Sequence, residues 1–325
     1  EIVRGDWSSD VCSSDLWLEN SKKTEIKKSS YTQYSSVVYN HLIPTIGDYR
    51  LQEVTSDVIQ NYVKAKLSHH QKALSSTTVR RHISILSSAL KQAVKLGIIK
   101  VNPCIDVCIP AAKKRKMDVF SKEEYQKLEK TLYCDQDKVK ATAVLLALKT
   151  GVRLGELAAL RWCDIDFEEK TMMVRDAVHR VNTSEDAGGK KTTMIFEGTK
   201  SYYSERNIPM NHEIYTLLKG YEAILSVKGE FVFLSKKGSF IDPRVYQTYF
   251  ADVLKNAGIK KRNFHILRHT FATRAASKNM QLAVLSRLLG HSNITVTLKS
   301  YIHPLTEQDR IEMNKLSEIP IDKEK

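Results

Sequence analysis

The stretch T-G-V-R-L-G-E-L, residues 150–157, decides the fold because it interrupts a helical pattern in the middle of the chain. Apolar periodicity predicts a helix over 139–149, and Gly151 breaks that helix. A second, short helix is predicted over 154–161. Arg153 therefore stands in a turn between two helices, where the backbone can approach a ligand closely.

The patterns on either side of this turn predict a mixed domain over residues 120–305. Ser121 and Glu124 form a capping box at the start of a helix over 121–132. Alternating and β-branched residues then predict an antiparallel hairpin of Thr171–Val181 and Thr192–Phe196, with a short third strand at Arg206–Pro209. Helical periodicity returns over 212–225, 243–257, 265–277, 281–289 and 294–302.

A separate helical pattern covers residues 17–110. Three helices are predicted, from Ser29 to Ile43, from Ser56 onward and from Thr77 to Gly97, each with apolar side chains on one face. Pro103 stops the helical structure. The predicted fold class is mainly α with a small antiparallel β-sheet, in two domains joined by a linker over 111–119.

The chain is strongly basic. Its 325 residues are enough for about two domains, and its net charge of +14 favours a polyanionic partner. The excess of Lys and Arg covers both predicted domains and stops near residue 305. The linker holds four consecutive basic residues, Lys113, Lys114, Arg115 and Lys116. Such a run is commonly a solvated spacer that binds nothing, or a localisation signal. Between two basic domains, however, it favours a flexible segment that follows a phosphate backbone.

The five cysteines and the two chain ends carry less information. An odd, sparse set of cysteines favours a reducing compartment over a disulfide framework. Cys104 and Cys108 are close in sequence, but no second Cys or His pair stands near them, so inert thiols are favoured over a metal site.

Residues 1–16 show no periodicity and resemble translated adapter sequence, so we expect a non-native segment there and a true start further upstream. No apolar run is long enough to span a bilayer, and we expect no membrane partner.

Four further motifs follow the opening one in a fixed order. They are G-T-K-S at 198–201, H-I-L-R-H at 265–269, L-L-G-H-S at 288–292 and L-K-S-Y-I-H at 298–303. Each motif is weak alone, but the five together are specific. Between about residue 17 and residue 305, the chain resembles the tyrosine site-specific recombinases, the phage integrase family.

The residue types in these motifs suit phosphodiester cleavage without a metal. That reaction needs a nucleophile, cations for the non-bridging oxygens and a proton donor for the leaving oxygen. Arg153 and Arg268 are planar forks suited to phosphate, although either could instead form a surface ion pair, with Glu156 available to Arg153. The imidazole of His291 can donate a hydrogen bond to a phosphate oxygen. A lone tyrosine is usually a packing residue, but within this motif set Tyr301 is favoured as the nucleophile.

The resemblance implies further roles at matching positions. His265 would act as the acid or base, Lys200 would protonate the departing 5′ oxygen, and Glu156 would hold Arg153. Lys190 and Lys191 are nearby rivals of Lys200. His269 matches no catalytic position of the family and is expected to be structural. The resemblance implies no cofactor and no metal.

The resemblance also implies an assembly. A helical core-binding domain (17–110) and a mixed α/β catalytic domain (120–305) would form a two-domain clamp on double-stranded DNA, and four protomers would exchange strands on paired sites. The tail, residues 306–325, carries Ile311, Leu316 and Ile319 and would dock on a neighbouring subunit, unless it is a frayed terminus. An excisionase or a host DNA-bending factor would be a further partner, and the protein would act in the bacterial cytoplasm on the nucleoid.

Three alternatives to a mobile-element integrase stay open at this point. A Xer-like recombinase shares the motifs and lacks an N-terminal arm domain. A type IB topoisomerase shares the chemistry but relaxes supercoils alone. A decayed integrase would only bind DNA, and it predicts the loss of at least one of the six matched residues, all of which are present.

Overall fold

The structure, a computed structural model, describes residues 17–18, 26, 28–68, 73–111, 118–182, 192–198, 205–226 and 228–291. These residues divide into two compact units. The first lies within Glu1–Lys116 together with Arg180–Thr193, and the second within Met117–His179 together with Met194–Lys325. The segment 1–16, the helix expected over 294–302 and the tail 306–325 lie outside the described residues.

The first unit is helical. Helix α1 (Lys28–Val37) continues through a π-helical turn (Val38–Leu42) into α2 (Ile43–Ile46), and a 3₁₀ turn (Leu51–Glu53) precedes α3 (Ser56–Ser68) and α4 (Ser76–Lys95). Ser75 caps α4 by accepting a hydrogen bond from the backbone N–H of Thr78 at 3.1 Å. The three helices predicted from the sequence are confirmed.

The core of the first unit lies between α3, α4 and the α1–α2 segment. Its fully buried side chains include Leu42, Ile59, Leu86 and Leu90, and Trp17 packs into the same cluster. One polar pair is buried with them: the hydroxyl of Tyr62 lies 2.7 Å from Nδ1 of His82. The hydrogen bond offsets the cost of burying both polar groups.

The second unit contains seven described helices. They are α5 (Lys122–Cys134), α6 (Lys138–Thr150), α7 (Leu154–Ala159), α8 (His212–Ala223), α9 (Pro243–Asn256), α10 (Ile266–Ser277) and α11 (Leu282–Leu289). Helix α6 is central, because every residue from 141 to 150 is buried and α5, α8, α9 and α10 all pack on it. From 141 to 148 its side chains are apolar apart from Thr142, as is typical of a helix that is surrounded by others.

The predicted positions of the strands are confirmed, but the strands pair differently from the prediction. Strands β1 (Ile165–Asp166), β2 (Thr171–Val174) and β5 (Arg206–Pro209) form one antiparallel sheet in the order β1-β2-β5, with Met172 opposite Ile208. Strands β3 (Asp176–Asn182) and β4 (Thr192–Gly198) pair separately. The single predicted strand 171–181 is therefore two strands that change partners at Arg175, and β1 was not predicted. Alternation alone does not show such a change, because register depends on distant segments.

The described cysteines are all free thiols, and Cys104 alone among them is buried. Burial raises the pKa of the Cys104 thiol to about 12, so it stays protonated and inert. Across the described ranges, no three His, Cys, Asp or Glu side chains gather closely enough to bind a metal ion. Every helix in those ranges is too short or too polar to traverse a bilayer.

Candidate active site

Two helix ends meet in the second unit, and each is closed by a glycine. Helix α6 ends at Gly151 (φ 69°) and α11 ends at Gly290 (φ 64°), both in the left-handed conformation. A Cβ at residue 151 would lie 2.6 Å from the ring of Phe271 on α10. The glycines therefore permit both the chain reversal and the close packing of the two ends.

Arg268 joins these two helix ends. It lies on α10 with only 3% of its surface exposed, and its Nη1 and Nη2 donate to the carbonyls of Gly151 (3.0 Å) and Leu289 (2.6 Å). The last carbonyls of a helix have no partner within the helix, so a guanidinium satisfies them well. The alternative of a surface ion pair is therefore wrong for Arg268.

Arg153 lies beside Arg268 but stays accessible. Its side chain is 38% exposed, Nη1 donates to Oε1 of Glu156 at 2.7 Å, and Nη2 donates to the carbonyl of Gly290 at 3.1 Å. Oε2 of Glu156 also accepts from the backbone N–H of Arg153 at 2.9 Å, which closes the first turn of α7. The ion pair considered from the sequence exists, and it aims the arginine without burying it.

Arg206 is a third arginine of the site, and the sequence analysis did not identify it. Its Nη2 lies 2.8 Å from Oε2 of Glu156 and its Nη1 lies 3.2 Å from Oε1, and both side chains are only 3% exposed. Fifty residues separate the two partners. A lone arginine at the start of a strand carries no local signal of such a contact, because β5 reaches Glu156 only through the tertiary fold.

The C-terminal turn of α11 accepts hydrogen bonds from all three arginines in succession. Arg206 Nε donates to Leu288 (2.6 Å), Arg268 to Leu289 (2.6 Å) and Arg153 to Gly290 (3.1 Å). His291 is the next residue, and its own N–H donates to the carbonyl of Ser286 at 3.0 Å. The backbone that carries His291 is thus held at three consecutive peptide groups.

Two histidines of the site have lowered pKa values. Loss of hydration lowers the pKa of His291 to about 4, assisted by the charges of Arg268, Arg153 and Arg206 and by His265. The pKa of His265 falls to about 4 for the same main reason, assisted by His269 and by the nearby arginines. Both imidazoles are therefore neutral near pH 7, where each can donate one hydrogen bond and accept another.

Glu156 pairs with both Arg153 and Arg206. Burial by itself would raise its pKa, but the hydrogen bonds and charge of Arg206, together with Arg153, outweigh burial and lower the pKa to about 2. Glu156 is therefore ionised throughout the physiological range. An ionised carboxylate between two guanidinium groups offsets part of their mutual repulsion and keeps them close together.

A small cavity opens beside Arg268 and His265. Its volume is about 240 Å³, and it is lined by Val152, Leu154, Gln247, Asn263, Phe264, His265 and Arg268. A larger groove of about 490 Å³ lies between α5, α6 and α8, is mostly apolar and is lined by none of the predicted site residues. The smaller cavity is the one that belongs to this site.

The structure therefore brings four predicted residues into one region, namely Arg153, His265, Arg268 and His291. His269 packs edge-on against His265 with ring centroids 4.7 Å apart. Lys200, its rivals Lys190 and Lys191, Tyr301 and the basic run Lys113, Lys114, Arg115 and Lys116 lie outside the described residues. One accessible arginine, one buried arginine and two neutral imidazoles can bind a tetrahedral phosphate and accept a proton from a group that attacks it.

The chain belongs to the phage integrase family. Residues 118–308 match the phage integrase family and residues 13–67 match the N-terminal SAM-like domain of phage integrases. The protein is accordingly a tyrosine recombinase, an enzyme that cuts and rejoins DNA in site-specific recombination.

Curated relatives and solved structures agree with this assignment. A tyrosine recombinase XerC-like protein of Caldanaerobacter subterraneus subsp. tengcongensis is 30% identical over 92% of this chain and 81% of its own length. The Tn1549 transposon integrase in complex with a circular intermediate DNA has the same fold, with a TM-score of 0.78 and 22% identity over 95% of this chain and all of that one. A lambda integrase dimer bound to a core site also shares the fold, with a TM-score of 0.67 and 19% identity over 90% of this chain and 95% of that one.

Proposed function

We propose that this recombinase uses a six-residue catalytic set, Arg153, Lys200, His265, Arg268, His291 and Tyr301. The observation that carries the proposal is the meeting of four of these at the ends of α6 and α11, although 138 positions separate the first of the four from the last. Arg153 presents accessible N–H groups to a phosphate, because its contacts among the described residues occupy only one hydrogen on each terminal nitrogen.

The reaction follows from the chemistry of these groups. The phenol oxygen of Tyr301 attacks phosphorus while the bond to the 5′ oxygen breaks, giving a 3′-phosphotyrosyl ester. The neutral imidazole of His265 takes the phenol proton, and Lys200 protonates the departing 5′ oxygen. Arg153, Arg268 and His291 stabilise the charge on the non-bridging oxygens. A 5′ hydroxyl of the partner strand then attacks the ester and releases Tyr301.

We further propose how the chain engages DNA. The helical unit within 17–110 and the catalytic unit within 120–305 both bind the duplex, and the basic run in 111–119 neutralises the phosphates between them. Four protomers act on two sites, and the lambda integrase tetramer bound to a Holliday junction supports an assembly of four. The tail from residue 306 docks on a neighbour. The protein acts on the nucleoid of a bacterium, with an excisionase or DNA-bending protein as accessory factor.

The biological role that we favour is integration or excision of a mobile element. The motifs H-x-L-R-H and T-L-K-S-Y-I-H resemble those of mobile-element integrases. A Xer-like role is the second candidate. It is supported by the XerC-like relative, which is 30% identical over most of both chains. Recombination between two copies of a chromosomal resolution site would favour the Xer-like role, whereas recombination between an element end and an unlike target would favour integration.

Replacing Tyr301 by phenylalanine tests the catalytic set. Tyr301→Phe removes the nucleophilic oxygen but keeps the ring, so we expect it to bind DNA like the unaltered protein and to form no covalent adduct. The measurement is a denaturing gel of the products on a nicked substrate that traps the ester, with EDTA present. Tyr202→Phe and Tyr203→Phe are matched controls, because these tyrosines follow Lys200 closely and should be dispensable.

Mapping of the phosphotyrosyl peptide completes the test. A peptide that contains residue 301 supports the assignment. An adduct that persists in Tyr301→Phe, or that maps to residue 202 or 203, overturns it.

A further inference from the structure

Arg206 lies at the junction of the site, and its side chain is buried. Its side chain is 3% exposed, and one edge of the guanidinium contacts both oxygens of Glu156, while Nε donates to the carbonyl of Leu288. A Cβ placed on Gly290 would lie 2.9 Å from Nη1 of Arg206. The guanidinium is therefore packed directly against the turn that leads to His291.

We propose that Arg206 is a positioning residue for the strand-cleavage step. It acts on Arg153 through Glu156, because the same carboxylate binds both arginines. It acts on His291 through the backbone, because it fixes the first of the three carbonyls that precede this residue. The inference rests on the proposed catalytic roles of Arg153 and His291.

The geometry requires an arginine rather than any cation. A guanidinium presents donors along two edges, so it can bind a carboxylate on one side and a carbonyl on another. A lysine ammonium would fit between Glu156 and Leu288 only as a point charge. It could neutralise Glu156 but could not hold carboxylate and turn at a fixed separation.

The competing explanation is that Arg206 merely neutralises a buried carboxylate. Under that explanation its loss destabilises the fold, because Glu156 would remain buried and ionised, but the folded protein would cleave normally. Under the proposal, the folded protein cleaves slowly even when all of it is folded and bound to DNA. Stability and cleavage therefore have to be measured separately.

Three variants separate the two explanations. Arg206→Met removes both the positive charge and the planar set of N–H donors, whereas Arg206→Lys keeps only the charge. Lys149→Met is the matched control, because Lys149 is also 3% exposed and pairs with two carboxylates, Glu129 on α5 and Glu213 on α8, neither of which is a proposed site residue. Each variant is assayed for unfolding in urea, for binding to a half-site DNA and for single-turnover cleavage at saturating DNA.

We expect Arg206→Met to bind the half-site within about threefold of the unaltered protein and to cleave about 100-fold more slowly, the scale of a misplaced catalytic group. Arg206→Lys should recover most of the stability but cleave about tenfold more slowly than the unaltered protein. Lys149→Met should lose stability and yet cleave at the normal rate once folded. If Arg206→Met does not fold, Arg206→Lys carries the comparison.

Normal cleavage by Arg206→Lys, or by folded Arg206→Met, overturns the proposal and leaves only charge neutralisation. Arg153→Ala, assayed in parallel, distinguishes this failure from a failure of the catalytic assignment. If Arg153→Ala cleaves normally, the proposed site itself is wrong. If Arg153→Ala is inactive while both Arg206 variants cleave like Lys149→Met, the role of Arg206 alone is wrong.

Discussion

Arg153 and Arg268 have the same guanidinium group but opposite surroundings. Arg268 is buried and binds the carbonyls of Gly151 and Leu289, so it holds two helix ends together as well as facing the cavity. Arg153 is 38% exposed and is oriented by Glu156. At the residue scale, Arg268 is part of the framework, whereas Arg153 is the arginine that we propose as the main ligand of the phosphate.

Lysine substitutions should separate these roles. Arg268→Lys leaves at least one buried carbonyl without its partner, so we expect a loss of about 1–3 kcal/mol in the free energy of unfolding as well as a loss of cleavage. Arg153→Lys should change the free energy of unfolding by less than about 1 kcal/mol and still lower cleavage by about 10²–10³. Urea unfolding and single-turnover cleavage measure the two effects, and equal stability of the two variants would contradict this division.

Gly290 offers a second test at the same scale. Gly290→Ala should cost about 1–2 kcal/mol for a left-handed residue with a side chain, and its Cβ would also displace Arg206, which lies 2.9 Å away. We therefore expect lower stability and slower cleavage together.

Gly258→Ala is the matched control for Gly290→Ala. Gly258 has nearly the same φ, +66°, and open space around its missing side chain. It should show the conformational cost in urea unfolding but keep the normal cleavage rate. Equal cleavage by the two alanine variants would show that the turn after α11 tolerates displacement.

At the scale of elements, the contact between α3 and α4 includes a buried histidine. His82 is 2% exposed, accepts or donates a hydrogen bond with Tyr62, and stacks on His41 at 4.7 Å between ring centroids. Loss of hydration lowers the pKa of His82 from 6.5 to about 4, assisted by His41, Lys66 and Arg81. The helix pair is therefore packed around a neutral imidazole.

This pairing predicts acid sensitivity of the first unit. Between pH 6.5 and about pH 4 the unfolded chain binds a proton at His82 that the folded chain does not. The contribution of a neutral His82 to the free energy of unfolding is complete above pH 6.5 and is lost as the pH falls toward 4. About 2 kcal/mol of it is lost between pH 7 and pH 5. The free energy of unfolding is measured in urea at pH 7 and at pH 5. We expect it to change less between these pH values in His82→Gln than in the unaltered protein.

His212→Gln is the control for that comparison, because His212 is an exposed residue at the start of α8. The other histidines stay in place in both variants, so the difference between them isolates His82. A pH dependence that is identical in His82→Gln and His212→Gln would remove His82 as its source.

At the scale of the whole molecule, the net charge of +14 predicts DNA affinity that falls steeply with salt. Replacing Lys113, Lys114, Arg115 and Lys116 by alanine should reduce the slope of log K against log salt by up to about 4, because each phosphate contact contributes about 0.9. Filter binding to a half-site at several salt concentrations gives the slope.

The tail provides a control of equal charge. It contains four basic residues, Arg310, Lys315, Lys323 and Lys325, in a segment that is acidic overall. Their replacement by alanine removes the same charge from a region not expected to contact phosphates. If both fourfold variants change the slope equally, the basic run has no local role and only the net charge matters.

The sequence by itself determined the class of fold, most helices and the region of the site. Helical periodicity and capping are local properties, so α3, α4, α5 and α6 could be predicted within a few residues. Arg153, His265, Arg268 and His291 were predicted as site residues because five short motifs, each weak alone, occur in the order that resembles one family. The helices depend on neighbours within a few positions, and the order of the motifs can likewise be read from a single sequence.

Only the tertiary structure decided which side chains share a partner. Strand β5 pairs with β2, and Arg206 is buried against Glu156, so segments far apart in the chain come together. The same long-range pairing separates β2 from β3. The successive binding of three arginines to the turn at 288–290 needs α6, α10, α11 and β5 to be packed first. Hydrogen bonds of this kind depend on atomic positions that packing alone sets, so no local pattern of residues records them.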